Sequence, residues 1–291
     1  MKILNFGSIN IDKVYQVDHF VMPGETQSCQ GFQVFPGGKG LNQSIALARA
    51  GAKVWHAGKA GRDGDWLVRL MKEAGVDTRF VAVSEQETGS AVIQVDPSGQ
   101  NGILLHDGAN GTMEEAFIHE VLAFFDKGDL LLLQNEINKV PEMIEAAWEK
   151  GMTIAFNPSP ANEGIGKCDL SKVTWLLLNE TEGEQLTGEK EPEEILSQLL
   201  FQYPRMNVVL TLGEKGGICY SEGRKFSFSA PKVKAIDTTG AGDTFTGYFL
   251  KGIAMGETAQ AAAATAAKAA AIAVTREGAS VSIPFYSEVQ V

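Results

Sequence analysis

The chain has 291 residues, 44% of them hydrophobic and 21% charged, which is the composition of a globular protein and not of a disordered, fibrous or disulfide-stapled one. At roughly 150 residues per domain its length fits two domains, or one α/β core with a small addition. With 25 basic against 36 acidic residues the net charge is −11, so the average surface repels nucleic acid and anionic lipid, and a phosphorylated ligand needs local lysine, backbone N–H groups or metal to hold it.

The first element in chain order is a short apolar run, Ile3 to Phe6, that reads as a buried strand. It ends in Gly7-Ser-Ile-Asn-Ile-Asp12, where Asn10 and Asp12 sit just beyond a strand's carboxyl end. From Ile11 to Phe35 the chain alternates weakly between Pro/Gly breaks, which predicts strands outside the core. Pro36-Gly-Gly-Lys-Gly-Leu-Asn-Gln43 follows, and Asn42 to Ala50 before Gly51 predicts a helix. Next come a strand from Val54 to Ala57 and a helix from Asp65 to Ala74 before Gly75. Ser90 to Leu105 alternates around a turn-like Asp96-Pro-Ser-Gly99, a second excursion from the core. Buried strands then recur at Leu130–Leu133, Thr153–Phe156, Trp175–Leu178 and Val208–Leu212, with a helix bracketed by Pro141 and Gly151.

Short runs apolar on both faces, each followed by an amphipathic segment, predict an open, doubly wound, mostly parallel α/β sheet sandwiched by helices. The two excursions, about 11–35 and 88–106, predict a small β lid over the carboxyl ends of the parallel strands, within one domain spanning 1–291. Ala259 to Val274 is alanine-rich, interrupted by Gln260, Thr265 and Lys268, and reads as a tightly packed helix too short to cross a bilayer. Phe285 to Val291 is too short for a closing helix. Cys29, Cys168 and Cys219 are widely spaced, with no Cys-x-x-Cys, and the first twenty residues hold no secretory pattern. A reducing cytoplasm is the expected location.

Ile236-Asp-Thr-Thr-Gly-Ala-Gly-Asp-Thr-Phe245 brings a Gly-rich turn to a helix whose apolar face carries Phe245, Tyr248, Phe249 and Ile253. Small residues let successive N–H groups converge on an anion, where the helix N-terminus adds positive potential. Asp243, in the first turn, reads either as a plain helix-start residue or as a carboxylate that takes a proton from a hydroxyl attacking phosphorus. No Gly-x-x-x-x-Gly-Lys-[Ser/Thr] is present, since Gly40 follows Lys39, and Phe245 stands where a dinucleotide fingerprint needs glycine. In the earlier Gly-Gly-Lys turn, Lys39 and Asn42 could bond hydroxyls, although a flexible turn explains the same residues. The four histidines read as satisfied or exposed side chains, with only His106 near the lid, and Trp55, Trp66, Trp148 and Trp175 read as packing in or beside core elements.

Taken in order, Gly7-Ser-Ile-Asn-x-Asp12, Gly37-Gly-Lys-Gly-x-Asn42, Asn157-Pro-Ser-Pro-Ala161, Asn179-Glu-Thr-Glu182, Thr211-Leu-Gly213 and Asp237-Thr-Thr-Gly-Ala-Gly-Asp243 resemble the ribokinase-like (PfkB) carbohydrate kinase family. The resemblance implies ATP-dependent, Mg²⁺-requiring phosphorylation of a sugar's primary hydroxyl, D-ribose foremost. Another sugar, a nucleoside, or a silent sugar-binding regulator are the alternatives. It implies that Asp243 is the catalytic base, with Gly240, Ala241 and Gly242 as the anion hole. Asn10, Asp12, Gly38, Lys39, Asn42 and Glu136 match sugar-binding positions, and Ala91 and Ile103 would wall the sugar. Asn179, Thr211, Gly213 and Gly242 would hold nucleotide, and Glu182 would serve Mg²⁺ through water. Asp237, Thr239, Ala273, Arg276, Gly278 and Ser282 resemble a site for an activating K⁺, and family members dimerise through their lids. The pattern departs at Ala267, where an asparagine near the adenine is usual, and at Leu178, where a proline is usual.

Overall fold

Two sequence periods alternate along the chain, and the computed structural model, described here for residues 1–290, shows what they build. The order begins β1 (Ile3–Phe6), β2 (Asn10–Gln16), β3 (Gly31–Gly37), α1 (Lys39–Arg49), β4 (Val54–Ala60), α2 (Asp65–Glu73) and β5 (Asp77–Val83). It continues with β6 (Gly89–Val95), β7 (Asn101–His106), α3 (Glu115–Leu122), β8 (Leu130–Gln134), α4 (Val140–Glu149), β9 (Thr153–Asn157) and β10 (Trp175–Asn179). Last come α5 (Glu180–Thr187), α6 (Pro192–Gln202), β11 (Asn207–Thr211), β12 (Gly217–Ser221), β13 (Arg224–Phe228), α7 (Ala241–Ala254), α8 (Ala259–Ala273) and α9 (Tyr286–Val289).

The central sheet has nine strands in the order β13-β12-β11-β10-β9-β8-β1-β4-β5, parallel from β11 to β5 with an antiparallel β12–β13 edge. Its strands are apolar on both faces because both are covered. Leu130 and Leu132 of β8 pack toward α1, α7 and α8, while Leu131 and Leu133 pack toward α3 and α4. The alanines of α8 let it lie close to α7, with Ala262 against Gly252. The chain enters at β1, moves outward through β4 and β5, and returns on the other side at β8. The resulting switch point opens a crevice at the carboxyl ends of β1 and β8, where ligands of such folds bind.

A separate four-stranded sheet, β3-β2-β6-β7, grows from this point, because β2 follows β1 after only Gly7, Ser8 and Ile9. Its register places Asp12 beside Ala91 and Ala91 opposite Leu105, with Ile103 opposite Ile93 on the same face.

Several elements differ from the sequence expectation. Strand β5 carries Asp77 and Arg79 at the sheet edge, and the β12–β13 hairpin pairs a short buried strand rich in small and polar residues with a mostly exposed edge strand, so neither shows the double-sided apolar run of a central strand. Helix α1 starts at Lys39, three residues before Asn42, because Ser8 and Glu136 accept its first amides. The segment after Phe285 forms the one-turn α9, capped by Glu288 and anchored by buried Val289. Trp148 is no core residue but half-exposed on α4, with the Lys172 ammonium over its ring.

Candidate active site

The site grows from the start of α1. Gly38 has φ +91°, and a Cβ there would come within 2.9 Å of the Asn10 nitrogen, so only glycine lets the turn lie against the end of β1. The Glu136 carboxylate, beyond β8, accepts from the Lys39 N–H at 2.9 Å and from the Ser8 hydroxyl at 2.5 Å. Ser8 Oγ in turn accepts from the Gly40 N–H at 3.1 Å, and the Ser8 carbonyl accepts from Leu41 at 2.9 Å. Asn110 donates through Nδ2 to Asn10 Oδ1 at 2.7 Å, which leaves Asn10 its Nδ2 hydrogens to donate.

Opposite this turn, α7 begins after Gly240, whose φ of +74° would strain any other residue and whose missing side chain makes room for Ala279. Gly240 offers no side-chain cap, and the Gly242 and Asp243 N–H groups have no acceptor among the described residues. Asp243 is buried in this first turn. Asn42 donates to its Oδ2 at 3.0 Å and Gln43 to its Oδ1 at 2.8 Å. Neighbouring residues of α1 thus grip both oxygens of a carboxylate two hundred positions later.

A cleft opens beside Asp243, lined by Lys39, Asn157, Asn179, Glu182, Thr211 and the Gly240–Gly242 turn, among others. Asn179 and Glu182 form a reciprocal cap at the start of α5: Asn179 Oδ1 accepts from the Glu182 N–H at 2.9 Å and Glu182 Oε2 from the Asn179 N–H at 3.0 Å. One Glu182 oxygen is left without a partner in this cap.

Charge is concentrated here. Burial disfavours the Lys39 ammonium, but Asp243, Glu136 and Glu182 outweigh that and raise its pKa. Burial also raises Glu136, against the pull of Lys39. Asp12 is pushed up to about 7 by burial and then by the negative fields of Glu136 and Asp243. The site therefore holds four carboxyl groups, Asp12, Glu136, Glu182 and Asp243, around one ammonium, a donor and acceptor set suited to a polyhydroxylated ligand.

The residues marked by the sequence fall into three groups. Lys39, Asn179, Glu182, Thr211, Gly240, Gly242 and Asp243 share the cleft. Asn10, Asp12, Gly38, Asn42, Ala91 and Glu136 lie at the junction of β1 with the small sheet, joined to the cleft through the Lys39–Glu136 and Asn42–Asp243 bonds. Ile103 shares the Asp12 and Ala91 face but is 56% exposed, and Gly213 opens an exposed turn after β11. The third group packs behind the α7 turn. Asp237 accepts from Thr239 through Oδ1 and from the Gly278 N–H through Oδ2, bonds that outweigh burial and lower its pKa. The Ala273 carbonyl accepts from Arg276, whose side chain pairs with Glu288, and Ser282 bonds Ala279. Sequence reasoning missed Gln43, Ser8 and Asn110. Only Gln43 left a trace, as the polar residue after Asn42 on the face of α1 that points inward.

No helix among the described residues is long and apolar enough to cross a membrane, and none of their His, Cys, Asp and Glu side chains form a cluster of three or more that could hold a metal. A family described as pfkB family carbohydrate kinase matches residues 1–285. Ribokinase of Haemophilus influenzae is 37% identical over 291 residues, covering 97% of this chain and 95% of that protein. The crystal structure of ribokinase from Cryptococcus neoformans in complex with ADP superposes with a TM-score of 0.87 at 34% identity, covering 99% of this chain and 98% of the other. Arabidopsis thaliana ribokinase complexed with ribose and ATP gives 0.85 at 28% identity, covering 99% and 97%.

Proposed function

The chain belongs to the pfkB family of carbohydrate kinases, and from that premise we propose that it transfers the γ-phosphoryl group of ATP to the primary hydroxyl of D-ribose, giving ribose 5-phosphate and ADP. One observation carries this reading: a buried carboxylate, Asp243, is held by two amides at a helix start whose N–H groups at 242 and 243 are unpaired.

The sugar lies against Asn10, Asp12, Gly38, Lys39, Asn42 and Glu136, with Ala91 as its wall and Ile103 at the outer edge. The hydrogen bonds already made define what each offers. Asn10 presents its Nδ2, since Oδ1 is taken by Asn110, and Asn42 presents Oδ1, which is buried without a partner. Asp12 and Glu136 accept hydroxyl hydrogens. Asp243 removes the proton from the sugar's primary hydroxyl as that oxygen bonds to the γ-phosphorus and the bond to the ADP oxygen breaks. Gly240, Ala241 and Gly242 form the anion hole, where developing negative charge meets the α7 N-terminus and the Lys39 ammonium. Asn179, Thr211 and Gly213 hold the nucleotide.

The free oxygen of Glu182 fits a water-mediated Mg²⁺, a cation that keeps most of its hydration shell. Bound with ATP, it would neutralise charge on the β- and γ-phosphates. Asp237, Thr239, Ala273, Arg276, Gly278 and Ser282 supply oxygen donors, mainly backbone carbonyls, suited to K⁺, and their packing behind Gly240 supports a role in ordering the anion-hole turn. Phe32, Val34, Leu104 and Leu105 expose apolar surface on the small sheet, which supports a lid that pairs with a second copy. The cytoplasm supplies ATP and keeps the three free cysteines reduced.

A panel of sugars and nucleosides assayed for ADP release, in K⁺ and in tetramethylammonium buffers, tests the proposal. D-ribose should give the highest kcat/KM, with K⁺ stimulating it. A nucleoside turned over faster than any sugar would overturn the substrate, and equal rates in both buffers would remove K⁺.

A further inference from the structure

Behind Asp243 runs a chain of buried amides whose donation diverges from Gln134, toward Asp243 on one side and toward Ser44 on the other. Gln43 Nε2 spends its two hydrogens on Asp243 Oδ1 at 2.8 Å and Asn157 Oδ1 at 3.0 Å. The Gln43 carbonyl oxygen accepts from Gln134 Nε2 at 2.7 Å, and Gln134 gives its other hydrogen to Asn5 Oδ1 at 2.9 Å. Asn5 Nδ2 donates to the Gly40 carbonyl at 2.7 Å and to Ser44 Oγ at 2.8 Å. Ser44 Oγ lies 2.8 Å from His56 Nδ1. Asn5, Gln43, Ser44, His56 and Gln134 are all fully buried.

We propose that Gln43 is a positioning residue for Asp243, and that Gln134, Asn5, Ser44 and His56 fix which end of its amide faces the carboxylate. The proposal rests on the reading of Asp243 as the base. Turning the Gln43 amide over would set its oxygen against Asp243 Oδ1 and Asn157 Oδ1, and its nitrogen against Gln134 Nε2, three like-with-like contacts in place of three hydrogen bonds. Asn157 is held from its own side, since its Nδ2 donates to the Leu177 carbonyl at 2.9 Å. At the far end, Ser44 Oγ accepts from Asn5 Nδ2 and also bonds the His56 Nδ1 that lies against it, which anchors the Asn5 end of the chain. From Asp243 to Ser44 every link has a donor facing an acceptor.

The consequence is geometric. With Asn42 on Oδ2 and Gln43 on Oδ1, the plane of the Asp243 carboxylate is fixed relative to α1. The same helix begins with Lys39 at the sugar side, so one rigid element sets the base against the hydroxyl it must deprotonate. Losing Gln43 frees the carboxylate to turn, and the cost falls on the chemical step and not on binding.

The test uses the full chain with Gln43→Met, which keeps the volume and removes the donor, Gln43→Glu, which keeps the shape and replaces donor by acceptor, Gln134→Met, and Asp243→Asn. Gln43→Met should lower kcat by about 10- to 100-fold while KM for ribose and for ATP stay within about twofold. Gln43→Glu should restore none of the loss. Gln134→Met, which touches neither substrate nor Asp243, should lower kcat about three- to tenfold at unchanged KM. A residue that only supports the fold would instead shift KM with melting temperature, and ribose titration calorimetry checks that each variant still binds sugar. Near-native kcat in Gln43→Met or in Gln134→Met, with Asp243→Asn silent, would overturn the inference. Should Gln43→Met fail to bind sugar, Gln134→Met decides alone. Full activity in Asp243→Asn would overturn the prior reading of the base.

Discussion

Helices α1 and α7 both start on a glycine of positive φ, Gly38 and Gly240, without a side-chain cap, and they pack together where Gly247 meets Ala46 and Leu47. Their N-terminal amides are treated in opposite ways. At α1, Lys39 is bonded to Glu136, Gly40 to Ser8 Oγ and Leu41 to the Ser8 carbonyl. At α7, the Gly242 and Asp243 amides are unpaired. A helix start satisfied by its own protein is scaffold, and it fixes the backbone that carries Lys39, Asn42 and Gln43. A helix start left open beside a buried carboxylate is capacity held for charge that arrives with a ligand.

The comparison breaks first at Asp243. Asp243→Asn removes the base while keeping a side chain that Asn42 and Gln43 can contact, so kcat should fall by about 10² to 10⁴, or roughly 2.7 to 5.4 kcal/mol of barrier, with ribose binding largely retained. Steady-state kinetics beside calorimetric ribose titration would show it, and a fall under about tenfold ends the assignment. A matched glycine pair sharpens the contrast between the helices. A Cβ at Gly242 meets nothing within 4 Å, so Gly242→Leu should fold with a native melting temperature yet lower kcat/KM for ATP by about tenfold or more by occupying the open amides' space. A Cβ at Gly40 collides with the Ser8 nitrogen and the Gly7 backbone, so Gly40→Ala should cost about 1 to 3 kcal/mol of stability. If the two variants exchanged phenotypes, the division between scaffold and open helix start would be wrong.

What the sequence made legible follows from how far apart the interacting residues lie. The central strands are readable because burial on two faces leaves an unbroken apolar run such as Leu130–Leu133, and Pro141 and Gly151 mark the ends of α4 locally. The Gly-Ala-Gly-Asp243 turn is readable because its amides and carboxylate lie within one helical turn. The grip of Gln43 on Asp243 joins residues 200 positions apart, and the Asn110–Asn10 bond spans 100, so no local pattern announces them. Edge strands β5 and β13 carry charge because one edge and part of a face meet solvent. The K⁺ proposal behind the α7 turn rests mostly on carbonyls, which every residue has, so residue types carry no signal there and the proposal comes from the family resemblance.

A pH effect is expected at the far end of the chain that steadies α1. Burial lowers the His56 pKa from 6.5 to about 4. The unfolded chain therefore binds a proton on this residue at a pH where the native protein does not, so its contribution to stability is complete above pH 6.5 and is lost as pH falls through about 4. Between pH 7.5 and 5 the His56 contribution alone should fall by about 2 kcal/mol, read from urea midpoints once the opposing Asp12 slope is removed. His56→Leu should lose less stability over the same interval, because its side chain cannot be protonated in either state. Asp12 acts with the opposite sign: raised from 3.8 to about 7, it holds its proton longer in the native state, so the stability it contributes is lost as pH rises through that window. An Asp12→Asn background removes that opposing slope and isolates the histidine. Equal pH slopes with and without His56 would mean that acid enters the α1 network elsewhere, and that the neutral imidazole does not terminate it.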